Sequence, residues 1–374
     1  MAQFGQLSRR ATLMGVLCAS LAPSVGACAG MRGTLRPPFS APEPAKLVKL
    51  DRDVESPEPV VSLAGESRYV KSDPARADID REAAEAYERA VAPLRTFERE
   101  VVRHANRFVK SRGKTPAHAA KAGGMLLNWA KADALSDMRS DTAQFNRSSA
   151  VSSLCLAWLQ VREAIDPGDP GKREIESWLG RLGRQVRDFY DDRDEQKRSS
   201  RNNHRYWAGL AAASAGVVDG DGRLLDWGLN SGDLGLAQVT PDGALPLELS
   251  RGKRALYYHA YAVGPLVMLA ELGARNGRSL YDARRGALHR LVAYTLAGID
   301  DPERVAKEAG AEQERLGRDG GPYDRSDVAW LEIYDARFGG RNPWASRMDD
   351  LRPLTFTRLG GDLTLLFGRA RADD

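Results

Sequence analysis

From Ile175 the apolar residues Ile175, Trp178, Leu179, Leu182, Val186 and Phe189 fall three or four positions apart. That spacing gathers them on one stripe of an α-helix and leaves the polar residues between them for the opposite side. The same period runs through Tyr87–Val109, Met125–Leu135, Val151–Val161, Ala208–Val217, Ala255–Leu272 and Leu288–Leu296. Asp-Gly pairs at 219–222 and 242–243 supply turns between stripes. Strands are scarce, the best candidates being Pro59–Ser62 and Leu363–Phe367. About ten helices of roughly 12–20 residues, with no fixed-period repeat, predict one large all-α domain built as an antiparallel helical array. Bundle, superhelix and closed α/α toroid all satisfy this pattern.

Charge narrows the partners. The formal net charge of the 374 residues is +4, and +2 without the first 27, which carry Arg9 and Arg10. A field this weak does not suit a nucleic-acid binder. An acidic ligand has to be held by local arginines. Of three cysteines only Cys155 lies in the body, inside the apolar run SSLCLAWL, where a small core residue is expected. There is no clustered Cys/His spacing and no phosphate-cradling glycine loop, so neither a metal nor a cofactor is expected.

Residues 1–28 read as an export leader. Twin arginines, Arg9 and Arg10, precede an apolar stretch from Ala11 to Ala27 that is too short and too rich in small residues to span a membrane. Ala27-Cys28-Ala29 fits cleavage to a soluble product, whereas Val25-Gly26-Ala27-Cys28 fits a lipobox that leaves a lipid anchor on Cys28. Either way a periplasmic protein is expected. Residues 29–64, with prolines at 37, 38, 42, 44, 57 and 59, read as a tether or extended lead-in. Residues 65–374 form the expected main helical domain, taken to be a monomer.

Three segments are polar where a structural role does not demand it. SRYVKSDPARADID, 67–80, offers Arg68, Tyr69, Lys71 and Arg76, and read plainly is a solvated lead-in capped by Asp80. RNNHRYW, 201–207, is on the plain reading a helix start capped by Asn202 or Asn203. In SRGKRALYYHAYAVGPL, 250–266, helical spacing places Arg254, Tyr258 and Tyr261 on one face.

Together with RPLTFTRLGGDLTLLF near the end, these segments resemble the alginate lyase, or poly(mannuronate) lyase, family in order and approximate spacing over about residues 60–368. The resemblance implies an incomplete α/α toroid with a deep substrate cleft. It implies catalytic roles for Asn203, His204, Arg254 and Tyr261, and substrate contacts from Arg68 and Tyr69 on a mobile lid, Trp207 stacking on a sugar, and Arg358. Ala260 stands where the family commonly has Asn, and Arg205 where a smaller residue is usual, so both bear on which uronate is preferred.

The implied reaction is β-elimination in an acidic polysaccharide, mannuronate-rich alginate first. The carbon 5 proton is removed while Arg254 and Asn203 neutralise the adjacent carboxylate. In mannuronate that proton and the departing oxygen at carbon 4 lie on one side of the ring, so Tyr261 can serve as both base and acid. In guluronate they lie on opposite sides, and His204 is the natural second participant. A free phenol, with a pKa of about 10, is a poor base, so Arg254 and His204 are expected to lower the value for Tyr261. A lyase for another polyuronate such as polyglucuronate, and a non-catalytic polysaccharide-binding component of an export assembly, are the alternatives.

Overall fold

The computed structural model describes residues 34–317 and 321–368. The leader, with its twin arginines and Cys28, lies outside them.

Side-chain caps set where most of the long helices begin. Asp80 accepts from the Ala83 N–H to start α1 (Arg81–Lys110), and Ser140, Asp169, Asn202 and Asp221 do the same for α3 (Asp141–Val161), α4 (Pro170–Asp191), α5 (Asn203–Asp219) and α6 (Gly222–Leu236). Between α1 and α3 lies α2 (Ala117–Lys131). The expected Asp-Gly turn after α5 is present, with Gly220 in the left-handed region at φ 70°. The chain continues through α7 (Pro246–Leu249), α8 (Ala255–Arg275), α9 (Ala283–Asp300), α10 (Pro302–Ala309), α11 (Leu331–Phe338), α12 (Met348–Leu351) and α13 (Leu363–Phe367).

Helix pairs α1–α2, α3–α4, α5–α6 and α8–α9 are successive antiparallel hairpins. Their first members α1, α3, α5 and α8 pack side by side as an inner layer, with α2, α4, α6 and α9 outside them. The result is an incomplete α/α toroid. Sequence and layer agree: α4 buries one face, with Ile175, Trp178, Leu179, Leu182 and Val186 on it and Phe189 half-buried at its end, whereas α3, α5 and α8 are buried on nearly all sides. The C-terminal segment packs back on the inner layer, α11 against α8 and α13 against α1.

Strands are two-residue pairs. Ser62–Leu63 (β1) runs parallel to Asp137–Met138 (β2), and Thr355–Phe356 (β3) antiparallel to Gly361–Asp362 (β4). The expected strand at Leu363–Phe367 is instead α13, started by the Asp362 side chain accepting from the Leu365 N–H. A five-residue apolar run carries no period that separates the two states. From residue 35 the proline-rich lead-in is strapped onto the helices. Phe39, Leu50 and Leu63 are buried, and the Leu50 N–H donates to Asp169 Oδ2 at 3.0 Å. A Cβ on Gly124 would stand 1.8 Å from the Asp51 carbonyl oxygen, so the strap lies on α2 only because that position is glycine.

Candidate active site

Asn202 caps α5 by accepting from the His204 N–H at 3.2 Å, and this fixes where the next residues of RNNHRYW point. His204 lines a cleft of about 500 Å³, its ring stacked on Phe145 at 3.9 Å between centroids. Asn203 turns the other way and is fully buried. Its backbone N–H donates to Glu248 Oε1 at 2.8 Å and its amide nitrogen lies 3.0 Å from each Glu248 oxygen, leaving Asn203 Oδ1 unbonded. Trp207 borders the cleft, but only 2 % of it is exposed. Tyr261 and Phe356 lie against its ring at 5.1 and 6.0 Å, so it forms the floor beneath Tyr261 and keeps no free face for a sugar. Arg205 points away, its Nε donating to Ser231 at 2.9 Å and its guanidinium stacked 4.1 Å from Trp227.

The second wall comes from α8 and the turn before it. Gly252, at φ 54°, lets the chain enter the short 3-10 turn Gly252–Arg254 that precedes α8. Arg254 is caged by the rings of Tyr257, Tyr69 and Tyr258 at 4.9, 5.4 and 5.9 Å. Its Nε and Nη1 are buried without a hydrogen-bond partner, and its ion pair with Glu314 is long, at 3.6 Å. Tyr261 carries instead the guanidinium of Arg358, which donates to its hydroxyl at 2.5 Å. Arg358 is delivered by a glycine turn: Gly360 and Gly361 adopt φ 96° and 102°, and the Asn106 amide donates to the Gly360 carbonyl at 3.0 Å while accepting from the Asp362 N–H at 2.9 Å.

Segment 67–80 closes over this cleft. The Tyr69 and Tyr258 hydroxyls are 2.5 Å apart, and Arg68 Nη2 donates to Tyr69 at 3.2 Å. Arg251 Nε and Nη2 donate to the carbonyls of Ala75 and Arg76 at 2.7 and 2.6 Å. Arg251, Arg198, Arg95 and Tyr87, all on the cleft wall, were not singled out from the sequence, nor was Glu248. Glu248 had a legible signal in its place within LPLEL, a carboxylate among apolar residues.

Seven arginines and lysines line the cleft against one carboxylate, Asp141. A chain that is nearly neutral overall thus concentrates positive charge in one concave site. Burial, reinforced by Arg251, Arg193 and Arg198, holds the His204 pKa down to about 3, so its imidazole is neutral at physiological pH. Burial pushes Tyr261 up to about 12 against the opposing pull of Arg358. The expected lowering of Tyr261 by Arg254 and a charged His204 is therefore absent. It falls on Tyr69, where Arg68 and Arg254 outweigh burial and bring the hydroxyl below the ordinary phenol value. Among the described residues, no group of three or more His, Cys, Asp or Glu is placed to hold a metal ion.

A second cavity of about 1000 Å³ adjoins the first, and the two share Arg68, Arg95, Tyr257, Tyr261 and Arg358. Arg254 and Ala260 line the second one. Tyr261 therefore stands at the junction of a long groove.

An open α/α toroid with a cationic, tyrosine-lined groove defines a class of protein that acts on acidic polysaccharides. The family model for alginate lyase matches residues 64–305. The chain is 34% identical to an alginate lyase of Azotobacter chroococcum mcd 1, with 83% of each covered. It is 31% identical to one of Pseudomonas fluorescens (strain SBW25), covering 95% of this chain and 94% of that protein. The crystal structure of alginate lyase A1-III from Sphingomonas species A1 superimposes with a TM-score of 0.68 at 25% identity, covering 87% and 89% of the two chains. A tyrosine-to-phenylalanine variant of A1-III complexed with a tetrasaccharide superimposes at 0.71. The chain belongs to the alginate lyase family and is a polysaccharide lyase.

Proposed function

We propose that this lyase cleaves 4-linked, mannuronate-rich alginate by β-elimination with Tyr261 as both base and acid. The observation that carries this reading is the 2.5 Å hydrogen bond from Arg358 to the Tyr261 hydroxyl at the junction of the groove. A cation donating to the phenol oxygen favours the tyrosinate that must take the carbon 5 proton. The resulting phenol then protonates the departing oxygen at carbon 4 on the same side of the ring, and the product carries an unsaturated uronate end. Arg254, buried and with unbonded nitrogens, supplies the neutralising charge for the substrate carboxylate. Asn203 joins it only by turning its amide away from Glu248. Arg68 and Tyr69 hold the chain from the covering segment. His204, neutral and on the facing wall, offers a base for the opposite-side geometry of guluronate. The chain is taken to be exported to the periplasm as a monomer, soluble or anchored through Cys28, on the support of the twin-arginine leader.

Polyglucuronate is the second reading. Glucuronate differs from mannuronate only at carbon 2, so the Tyr261 chemistry serves both. Ala260, small and lining the groove, leaves room where the family commonly has Asn. Incubating the protein with mannuronan, guluronan and glucuronan and following absorbance of the unsaturated product tests the choice. Fastest release from mannuronan is expected; strong activity on glucuronan with none on mannuronan would overturn the substrate assignment.

A further inference from the structure

The second cavity has a wall that the elimination chemistry does not use. Arg95, Arg99, Arg103 and Arg107 recur every fourth residue along α1 and all line it, with Lys110 beyond them. Four residues of helix rise about 6 Å and turn about 40°, so side chains so spaced form one ridge slowly inclined to the helix axis. The row is thus a ladder of guanidiniums with a step comparable to one sugar residue. It starts at Arg95, beside Tyr261 and Arg358 where the two cavities meet, and leads away from them.

A row of exposed helix arginines is ordinarily a solvated face. Two observations set this one apart. Among the described residues, no carboxylate lies within ion-pairing distance of Arg99, Arg107 or Lys110, while Arg103 pairs with Glu100 and Arg95 with Glu88. The row also borders a cavity that receives Arg254, whose side chain is 10 % exposed and whose Nε and Nη1 lack hydrogen-bond partners. Other acids on the same cavity already have partners: Asp362 caps α13, Asp327 accepts from the Asp324 N–H, and Glu314 pairs with Lys253 at 3.2 Å and Arg254 at 3.6 Å. Glu98 lies buried below the ladder, and burial raises its pKa to about 7, which weakens its opposing charge at neutral pH.

We propose that this cavity carries the part of the polyuronate chain beyond the bond being broken, with successive carboxylates paired to Arg99, Arg103 and Arg107. This rests on the polyuronate reading of the site. The chain then lies on both sides of Tyr261, internal bonds are presented for cleavage, and affinity grows with chain length.

The test compares wild type with an Arg99→Ser/Arg103→Ser/Arg107→Ser variant on mannuronate and glucuronate oligomers of defined length and on both polymers. In the wild type, kcat/KM should climb with each sugar added beyond those the first cavity holds. The variant should lose that climb, about tenfold or more on polymer, through KM with kcat held. Its loss of polymer affinity with added salt should also be shallower. The double variant Arg99→Ser/Arg107→Ser alters only exposed side chains and should show the same trend if the triple variant folds poorly. Equal length and salt dependence in wild type and variants would overturn the proposal while leaving the lyase reading intact. Calorimetric binding of the same oligomers to Tyr261→Phe separates the two. Ladder-dependent binding by a chain whose wild type cleaves neither polymer would sink the substrate assignment and keep the track.

Discussion

The Arg358 guanidinium donates to the Tyr261 hydroxyl across 2.5 Å, joining residues 97 positions apart in the chain. Burial, with smaller contributions from Tyr257 and Tyr87, drives Tyr261 away from ionising, and the Arg358 contact opposes it. Arg358→Leu should therefore lower kcat/KM on mannuronan by about 100-fold, the usual effect of removing one charge-stabilising donor. The alkaline rise of activity should also move to higher pH. A pH–rate profile superimposable on wild type would refute the assignment.

Tyr261→Phe removes the proposed base and acid together. Turnover should fall by about 1000-fold or more, while the affinity for polymer stays near wild type. Measuring unsaturated ends and equilibrium binding side by side checks both halves, and appreciable residual turnover would move the chemistry to another group.

Glu248 accepts three contacts from Asn203 in a fully buried setting. Glu248→Ala strands an N–H and an amide that water cannot reach, and should cost about 2–3 kcal/mol of stability, read by denaturant titration. Glu248→Gln preserves the volume and should cost less. If both variants unfold at the wild-type midpoint, the pair is not a structural clamp.

Arg205 was expected to bear on uronate choice, yet it packs on Ser231 and Trp227. Arg205→Ala should lower stability by about 1 kcal/mol through the lost stacking and leave the ratio of mannuronan to glucuronan rates unchanged. A shifted ratio would show that the residue reaches the substrate after all.

His259 is fully buried, with Nε2 accepting from the Leu245 N–H at 2.9 Å and Nδ1 2.8 Å from the Ala255 carbonyl. Burial holds its pKa down to about 4. A histidine depressed in the folded state contributes stability that is complete above its ordinary value and is lost as pH falls toward the folded one. His204, held at about 3, acts in the same sense. The thermal midpoint should thus decline between about pH 6.5 and 4. Imidazole resonances titrating near the ordinary histidine value would contradict this.

Much of the architecture was legible because helical period is local. The stripe from Ile175 to Val186 faces the core as its spacing requires, and Asn202 caps the helix that RNNHRYW begins. The run Leu363–Phe367 misled because five apolar residues fit either a strand or a helix, and a cap at Asp362 decided between them.

The candidate site divides the same way. The resemblance of four segments to the family named Arg68, Tyr69, His204, Arg254, Tyr261 and Arg358, which line the groove, but it also named Asn203, which faces away, and missed Arg95, Arg198 and Arg251 on the wall. Residue types and their order could not say which partner each group would face. Asn203 lies on Glu248, Arg254 against Tyr69 of the covering segment, and Tyr261 under Arg358, because those pairings join segments far apart in the chain. Burial and cross-chain electrostatics exist only once the toroid has brought its inner helices together. The sequence alone thus determined the helices and the chemical inventory; the tertiary structure decided which tyrosine carries a cation and which groups stay neutral.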